Sequence, residues 1–447
     1  MSLSDHPKAY GTAALVAAFA AGVLVTLGFK DAYPELESRF QEKKRRRPGS
    51  RAADGGREPN PRRSSIFWGA PVTLEDHEQD AGSSRSDGVV EDGIAGCIGH
   101  TPLINMRSLS EATGRTILGK AEFLNGAGGS PKDRVALSII RAAERDGQLV
   151  PHRGDTIYEG TVGSTGISLA TLARAMGYRA HICMPDDQSR EKSDLLRALG
   201  AAVERVPVAP ITSPDHFVNL ARRRAAEHAA ARADGSRGFF ADQFETPANW
   251  EAHAAGTGPE IWRQTGGLVD AFVAGAGTGG TVAGVARHLK ERRPAVRVVL
   301  ADPQGSGLYH KVKHGVMYAP TEREGTRRRQ QVDSMVEGIG VNRVTANFEA
   351  GRDLVDDAVK VADEQACRMA RWLVENDGLF LGSSSAVNCA AAVVAALQLP
   401  PGSVVVTVLC DSGTRHLSKF WKHIKDMGLE EHEATDLFAE LGLEKQA

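Results

Sequence analysis

A strong charge imbalance is missing from this sequence of 447 residues. Lysine and arginine total 54 and aspartate and glutamate total 56, so the formal net charge is −2. Without an overall excess of positive charge, the composition gives no indication of nucleic-acid binding. The histidines are scattered without ligand spacing, and the sequence therefore predicts no metal site.

Cysteine is also scarce, with five residues, an odd number, and no CxxC pair. Three of the five lie in strongly apolar sequence. This pattern predicts buried thiols in a reduced compartment rather than a disulfide framework. Glycine, in contrast, is abundant at 48 residues, as is typical of chains with tight turns and close backbone–ligand approach. The cysteines are Cys97, Cys183, Cys367, Cys389 and Cys410.

Charge is absent from one long run, residues 10–29. As a helix rising about 1.5 Å per residue, this run would span the roughly 30 Å hydrocarbon core of a bilayer. A cleaved secretory signal and a mitochondrial matrix presequence are the alternatives, but the run is long for the first and lacks early arginines for the second. We therefore expect a transmembrane signal anchor after a short segment at 1–9, with the basic cluster 43–47 holding the rest in the cytosol.

The location expected from this anchor is the mitochondrial outer membrane, with the endoplasmic reticulum membrane as the second choice. Residues 30–92 are rich in arginine, glycine, proline and serine and are predicted to be a basic, disordered linker. A catalytic domain is expected over 93–425, with a smaller subdomain at about 133–245, followed by a C-terminal tail at 426–447.

Short valine- and isoleucine-rich runs alternate with helical periodicity from about residue 93 onward, which predicts a mostly parallel α/β fold. Residues 315–347 are interpreted as a surface excursion. The predicted strands are 156–159, 178–184, 271–274, 296–301 and 403–410. The predicted helices are 133–148, 166–176, 189–199, 280–290 and 353–375.

A glycine-rich segment lies between a predicted strand and helix. Gly275, Gly277 and Gly280 fit the pattern GxGxxG, and Asp302 ends the next strand. Such a loop cradles a phosphate on backbone N–H groups at a helix N-terminus. The pattern alone also fits an NAD-dependent dehydrogenase.

Lys132 follows a glycine-rich turn at the start of a predicted helix. The helix N-terminus and the neighbouring Arg134 are both expected to lower the pKa of this lysine. A lysine with a lowered pKa forms a Schiff base with an aldehyde cofactor. Two more strand–loop–helix junctions are rich in small residues: 159–166, which suits a carboxylate, and 381–386, whose serines are typical helix caps.

Together these segments resemble the fold-type II pyridoxal-phosphate (PLP) enzymes, and cysteine synthases most closely, from about residue 98 to 421. Residues 98–103 are similar to the family's IGNTPL, and 129–134 to its GSVKDR. Residues 161–166 are similar to TSGNTG and 242–249 to NQFENPAN, while 277–281 match the phosphate loop. The resemblance implies two three-layer αβα domains with mostly parallel twisted sheets, the cofactor in the cleft between them, and a homodimer.

Carried onto this sequence, the resemblance makes Lys132 the catalytic, cofactor-binding lysine. It places Ser164 at the cofactor's 3′-oxygen and Ser383, or less favourably Ser384, at its pyridine nitrogen. The residues implied for the phosphate are Gly277, Thr278, Gly279, Gly280 and Thr281. The residues implied for the substrate are Thr161, Val162, Gly163, Thr165 and Gln243.

The implied reaction is β-replacement, in which O-acetyl-L-serine and sulfide give L-cysteine through an aminoacrylate intermediate. Two positions depart from the family: Val162 stands where it has serine and Ser164 where it has asparagine. These departures put substrate identity and rate in question. The alternatives are a lyase similar to cystathionine β-synthase or serine dehydratase, and a membrane-tethered PLP-binding protein with weak cysteine synthase activity.

Overall fold

The computed structural model describes residues 89–231, 235–318, 334–432 and 434–444. Within these ranges, ten strands form two separate sheets. The strands are β1 (Leu103–Asn105), β2 (Thr116–Ala121), β3 (Thr156–Gly160), β4 (Arg179–Pro185), β5 (Ala202–Val206), β6 (Gly238–Phe240), β7 (Ala271–Gly275), β8 (Arg297–Pro303), β9 (Asp357–Val361) and β10 (Val404–Leu409).

The α-helices alternate with these strands and cover the sheets. The first seven are α1 (Arg107–Thr113), α2 (Lys132–Arg145), α3 (Ser164–Ala175), α4 (Arg190–Ala198), α5 (Phe217–Ala231), α6 (Ala248–Ala252) and α7 (Gly258–Gln264). The others are α8 (Gly280–Arg292), α9 (Leu308–His314), α10 (Ala346–Glu349), α11 (Asp363–Asp377), α12 (Ser383–Leu397), α13 (Lys422–Asp426) and α14 (Leu437–Leu441).

Both sheets are mostly parallel, as the alternating pattern predicts. The larger has the order β1-β2-β10-β7-β8-β9, in which only the β1–β2 pair is antiparallel. The smaller has the order β5-β4-β3-β6 and is entirely parallel. Since the carboxyl ends of parallel strands share one edge of a sheet, the loops that follow β2, β7 and β10 emerge together.

The centre of the larger sheet is built from apolar β-branched residues. Strand β10 has the sequence VVVTVL, and its last five residues are buried. A strand covered on both faces requires such a continuous run, and each buried valine or leucine contributes about 1.5–3 kcal/mol. Helix α12, which is rich in alanine and almost wholly buried, packs against it. The small side chains allow the helix to approach the sheet closely.

The helix predicted over residues 353–375 is wrong in its first part. Residues Asp357–Val361 form strand β9, which pairs with β8 in parallel, and helix α11 begins only at Asp363. The alternation of polar and apolar residues in the sequence DAVKV fits a strand as well as the start of a helix. Pairing with β8 at the sheet edge favours the strand. The excursion predicted at 315–347 is corrected for residues 338 and 339 alone, because Gly338 and Ile339 pack against the glycine-rich loop, whereas residues 319–333 lie outside the described part.

The predicted membrane location is corrected as well. Among the residues that the structure describes, no helix is both long enough and apolar enough to cross a bilayer. Helices α11 and α12 have 15 residues each and would reach only about 22 Å. Residues 10–29, where the anchor was expected, lie outside the described part, as does almost all of the predicted linker.

A cluster of four buried charges fixes the start of helix α2. Arg134 donates to both Glu122 and Glu260, with N–O distances of 2.7 Å to each. Lys120 Nζ lies 2.6 Å from Glu260 Oε2, and its side chain has no exposed surface. Burial raises the pKa of Glu260, but Arg134 and Lys120 outweigh it and lower that pKa to about 2. Two cations thus balance two anions where water is excluded.

We predict that Lys120→Met lowers the free energy of unfolding by about 3–5 kcal/mol, because it leaves a buried carboxylate with too few partners. Urea unfolding followed by tryptophan fluorescence measures this loss. Lys422→Met is the matched control: Lys422 also bonds a carboxylate at 2.6 Å, that of Asp426, but on the surface, where the loss is below about 1 kcal/mol. Equal losses in the two variants would contradict a structural role for the buried cluster.

Candidate active site

The sequence-predicted site residues lie where loops leave the carboxyl ends of strands. Lys132 is the first residue of α2 and Ser164 the first residue of α3. Ser383 begins α12 in the same way. The glycine-rich loop joins β7 to α8, whose first two residues are Gly280 and Thr281. Gln243 follows β6 and is buried.

Lys132 is half-buried, and its amine has no hydrogen bond or ion pair with any residue that the structure describes. Burial lowers its pKa, while Cys410 and Asp411 act in the opposite direction. The predicted direction of the shift is therefore supported, but its cause is different. Arg134 is engaged by Glu122 and Glu260 rather than acting on the lysine. An unpartnered amine with a lowered pKa loses its proton more readily and so becomes a nucleophile or base more easily.

The turn before Lys132 is held by its neighbour Asp133. This buried carboxylate accepts hydrogen bonds from the N–H groups of Gly128, at 2.7 and 2.8 Å, and of Gly129, at 2.9 Å. The Ser168 hydroxyl on helix α3 donates to it at 2.6 Å. Asp133 thereby joins the start of α2 to α3 and fixes the direction in which the lysine leaves the helix.

The glycine-rich loop passes too close to its neighbours to accommodate side chains. At Gly279, with φ of +86°, a Cβ would lie 2.5 Å from Cα of Phe348. At Gly277 it would lie 2.2 Å from the Gly338 carbonyl oxygen. In the described structure no side chain caps the N-terminus of α8, so the first N–H groups of that helix remain available. Free N–H groups at a helix N-terminus suit a phosphate.

Two threonines of the loop are oriented by buried partners. Asn249 Nδ2 donates to Thr278 Oγ1 at 2.9 Å, and His253 Nε2 lies 3.1 Å from Thr281 Oγ1. Burial lowers the pKa of His253 to about 3, so the imidazole is neutral at pH 7. The polarity around the phosphate loop therefore comes from dipoles rather than from a cationic side chain.

The loop 161–165 is tied to a buried carboxyl group. Thr165 Oγ1 donates to Gln243 Oε1 at 2.5 Å, and Gln243 Nε2 donates to Glu159 Oε1 at 3.0 Å. Glu159 is fully buried, and this burial raises its pKa to about 8. Val162 and Gly163, in contrast, are half-buried. The chain from Glu159 fixes one side of the loop and leaves the other accessible to a ligand.

Three consecutive serines begin α12, and they have different partners. The Ser383 hydroxyl accepts from the Glu337 N–H at 3.0 Å, and the Ser385 hydroxyl accepts from the Cys410 N–H at 2.8 Å. Ser383 was the first choice for a cofactor contact, and because its hydroxyl only accepts in this bond, its O–H remains available to donate.

Sequence reasoning did not single out several polar residues of this region: Glu159, Asn249, Asp411 and His416. Asn249 and Glu159 lie inside motifs that were recognised, but only as flanking letters. Asp411 lies two residues after the end of β10, and a carboxylate near the carboxyl end of a central strand is a signal that could have found it. No local signal predicts His416, because its contact with Asp411 depends on the turn at 411–416.

Comparison with known proteins agrees with this geometry. The model of the family "Pyridoxal-phosphate dependent enzyme" matches residues 94–411. Cysteine synthase 2 of Neurospora crassa is 69% identical over 100% of this chain and 99% of its own length. Cysteine synthase 2 of Emericella nidulans is 57% identical over 95% and 96%. The crystal structure of O-ureido-L-serine synthase, 33% identical, superposes with a TM-score of 0.64 over 77% of this chain and 96% of that one.

Fold, glycine-rich loop and family match define an enzyme that depends on PLP. The chain belongs to the cysteine synthase family of these enzymes. The sequence predictions of the cofactor, of an enzyme and of the fold-type II core are thereby confirmed. The described residues also fit the cofactor chemically: uncapped N–H groups suit its phosphate, and the unpartnered Lys132 amine suits its aldehyde carbon.

We predict that Glu159→Gln changes how stability depends on pH. The pKa of Glu159 is about 8 in the folded protein against 4.5 in the unfolded chain. Between these values the folded state binds more protons, so stability falls as pH rises, by up to about 1.4 kcal/mol per pH unit. Glutamine cannot ionise and lacks this loss. The melting temperatures of the variant and of wild type are measured from pH 5 to 8.5. The difference, variant minus wild type, should therefore increase as pH rises.

The control is Glu431→Gln, which changes an exposed glutamate and should parallel wild type. A constant difference between Glu159→Gln and wild type over the whole range would show that Glu159 is not protonated in the fold.

Proposed function

We propose that this protein forms L-cysteine from O-acetyl-L-serine and sulfide, with Lys132 as the catalytic lysine. One observation carries the proposal: an unpartnered amine whose pKa is lowered by burial lies at the carboxyl edge of the larger sheet, where the glycine-rich loop also emerges. The loop at 161–165, which suits a carboxylate, leads into the neighbouring helix α3. The names of the two fungal relatives support the same reaction.

PLP supplies an electron sink that stabilises negative charge at the substrate Cα when it is bound. The cofactor phosphate is assigned to the loop where α8 starts without a side-chain cap. The residues of this loop are Gly277, Thr278, Gly279, Gly280 and Thr281. Lys132 Nζ is assigned to the aldehyde carbon and Ser164 to the 3′-oxygen. The Ser164 side chain is shorter than the asparagine of the family, so a water would bridge the Ser164 hydroxyl and the 3′-oxygen.

The substrate carboxylate is assigned to Thr161, Val162, Gly163 and Thr165, with Gln243 behind them. Thr165 is hydrogen-bonded to Gln243, and Gln243 to Glu159. Because these side chains are already held in place, substrate binding loses little of their conformational entropy. The substrate amine would replace Lys132 Nζ at the aldehyde carbon, and the released Nζ takes the proton from the substrate Cα. The Cβ–O bond breaks and acetate leaves with its electron pair, after which hydrosulfide forms the new Cβ–S bond and Nζ returns the proton to Cα.

Ser383 is assigned to the pyridine nitrogen, with Ser384 as the second choice. The Ser383 hydroxyl accepts a hydrogen bond from the Glu337 N–H, so its own O–H is free to donate to that nitrogen. A neutral hydroxyl at that nitrogen leaves it unprotonated and favours elimination at Cβ. The homodimer and the subdomain boundaries at 133 and 245 stay predictions.

The first test is an absorption spectrum of the purified full chain with bound cofactor. We expect a visible band that shifts on addition of O-acetylserine and returns on addition of sulfide. Lys132→Ala should abolish the band, because the cofactor loses its covalent attachment, whereas Lys422→Ala on the surface should retain it. A band that persists in Lys132→Ala contradicts the lysine assignment. A band that responds to serine but not to O-acetylserine contradicts the assigned substrate.

Val162→Ser and Ser164→Asn test the two departures from the family. Val162→Ser adds a hydroxyl at the substrate carboxylate, so we expect KM for O-acetylserine to fall several-fold with the absorption band unchanged. Ser164→Asn should move the band and leave KM less affected, because its contact is with the cofactor. Steady-state kinetics and spectra of both variants measure this, and each serves as the other's control. The reverse pattern would contradict the two assignments.

A further inference from the structure

The smaller sheet carries a cluster of three side chains that neither the cofactor assignment nor the substrate assignment uses. His181 and Cys183 lie two residues apart on β4, so their side chains point to the same face of the strand. Cys183 is paired in register with Glu204 of β5, whose side chain lies on that face as well. A ring nitrogen, the sulfur and a carboxylate oxygen all lie within 4.8 Å of one another. Sequence spacing does not predict this cluster, because Glu204 reaches the other two only through strand pairing.

These three atoms suit one class of ion. Imidazole, thiolate and carboxylate together bind Zn²⁺ and similar divalent transition ions at distances of about 2.0–2.3 Å. The ligand atoms of a tetrahedral zinc site are therefore roughly 3.3–3.7 Å apart. His181 Nε2 and Glu204 Oε2 are already 3.2 Å apart. Side-chain movements of about 1 Å would bring all three atoms to the corners of such a site, with water as the fourth ligand.

Neighbouring side chains hold two of these ligands in place. Arg224 on α5 donates to both oxygens of Glu204, at 2.9 and 3.1 Å. The Tyr158 ring stacks on the His181 ring with a centroid distance of 5.0 Å. Outer contacts of this kind orient metal ligands. The charge of Arg224 opposes a cation, but it is shared with Glu227 at 2.9 Å, and Glu204 Oε2 can exchange its contact with His181 for the ion.

The cluster is open on one side and closed on the other. The side chains of His181 and Glu204 are 24% and 29% exposed, whereas Cys183 has no exposed surface. Burial raises the pKa of this thiol to about 12, so the thiol is protonated at pH 7. A metal ion binds the thiolate and must displace that proton. An ion can therefore enter from the side of the histidine and the glutamate and reach the sulfur last.

We propose that His181, Cys183 and Glu204 form a binding site for a divalent transition ion such as Zn²⁺, which joins β4 to β5. The S–H bond breaks, its proton leaves to solvent, and its electron pair forms the sulfur–metal bond. The nitrogen and the oxygen each contribute a lone pair. The ion would lie beside the substrate loop, since the Cys183 carbonyl accepts the Thr161 N–H at 3.0 Å. None of its ligands is assigned to the cofactor, so the site does not depend on bound PLP.

The first test measures the Zn²⁺ bound per chain when the full-length holoenzyme is dialysed against Zn²⁺. Wild type should bind one ion more than Cys183→Ala or His181→Ala. Loss of a direct ligand should weaken binding by at least the roughly 10–100-fold that loss of an outer contact costs. The matched control is Cys367→Ala, which should bind as wild type does. Cys367 is equally buried, and burial likewise raises the pKa of its thiol to about 12, but it lies on α11.

A second control addresses binding by histidines elsewhere. His310 and His314 lie one turn apart on α9, with ring centroids 5.7 Å apart, and are the alternative chelating pair. His310→Ala should retain the ion. If His310→Ala loses it and Cys183→Ala retains it, the proposed site is wrong. Should Cys183→Ala not fold, His181→Ala on the partly exposed side gives the same comparison with His310→Ala.

Cobalt identifies the sulfur ligand directly. The difference spectrum of the holoenzyme with and without Co²⁺ should show a sulfur-to-cobalt charge-transfer band that Cys183→Ala lacks and Cys367→Ala retains. Because the ion joins two strands of the folded state, Zn²⁺ should also raise the melting temperature of wild type and of His310→Ala but not of Cys183→Ala. Bound Co²⁺ without that band, or an equal rise in every variant, would overturn the site. Neither result bears on the role of Lys132, which the spectrum without added metal tests.

Discussion

The position of the candidate lysine depends on four buried charges that neutralise one another. Glu260 on α7 bonds both Lys120 on β2 and Arg134 on α2, and Arg134 also bonds Glu122. Isolated, any of these charges would be strongly unfavourable in the protein interior. Together they require helix α7 to meet β2 and the start of α2 in one arrangement, although Glu260 lies 126 positions after Arg134. Because Arg134 lies two residues after Lys132, the same ion pairs that fix the helix also fix the start of the site.

Burial then sets the protonation of the groups around that start. It lowers the pKa of Lys132 and of His253, and it raises the pKa of Glu159. In each case the neutral form is favoured, because a charge loses more hydration than a neutral group when it leaves water. The region thereby offers an amine with a lowered pKa, a neutral imidazole and a protonated acid.

Strong sequence signals predicted much of this fold. The buried strand at 403–410 and the glycine-rich junction at 275–281 are local patterns, and the structure has a strand and a strand–loop–helix unit there. The prediction of a helix at residues 357–361 was wrong, because an amphipathic strand at a sheet edge and the helix after it share one apolar pattern. Only pairing with β8 distinguishes them.

The site residues divide in a similar way. Lys132 and the phosphate loop are recognisable because their chemistry needs particular residues at fixed short spacing. The long-range contacts in the same region are not, since Gln243 and Glu159, for example, meet across 84 positions. The identity of such a partner depends on the completed fold, and neither composition nor periodicity encodes it. The same is true of Arg134, whose charge sequence reasoning assigned to the lysine but which the fold directs to two glutamates.

The two departures from the family pattern occupy a particular part of the loop at 161–165. Val162 and Ser164 are half-buried, whereas Thr161 and Thr165 are buried, and Thr165 is bonded to Gln243. A substitution at a buried, hydrogen-bonded position would disturb the chain to Glu159 and leave a polar group without a partner. At the half-exposed positions, the proposed contact of the side chain is with the ligand rather than with the core. Residues 162 and 164 can therefore differ while the buried bonds that shape the loop remain intact, so under the proposed function these departures act on ligand preference rather than on folding.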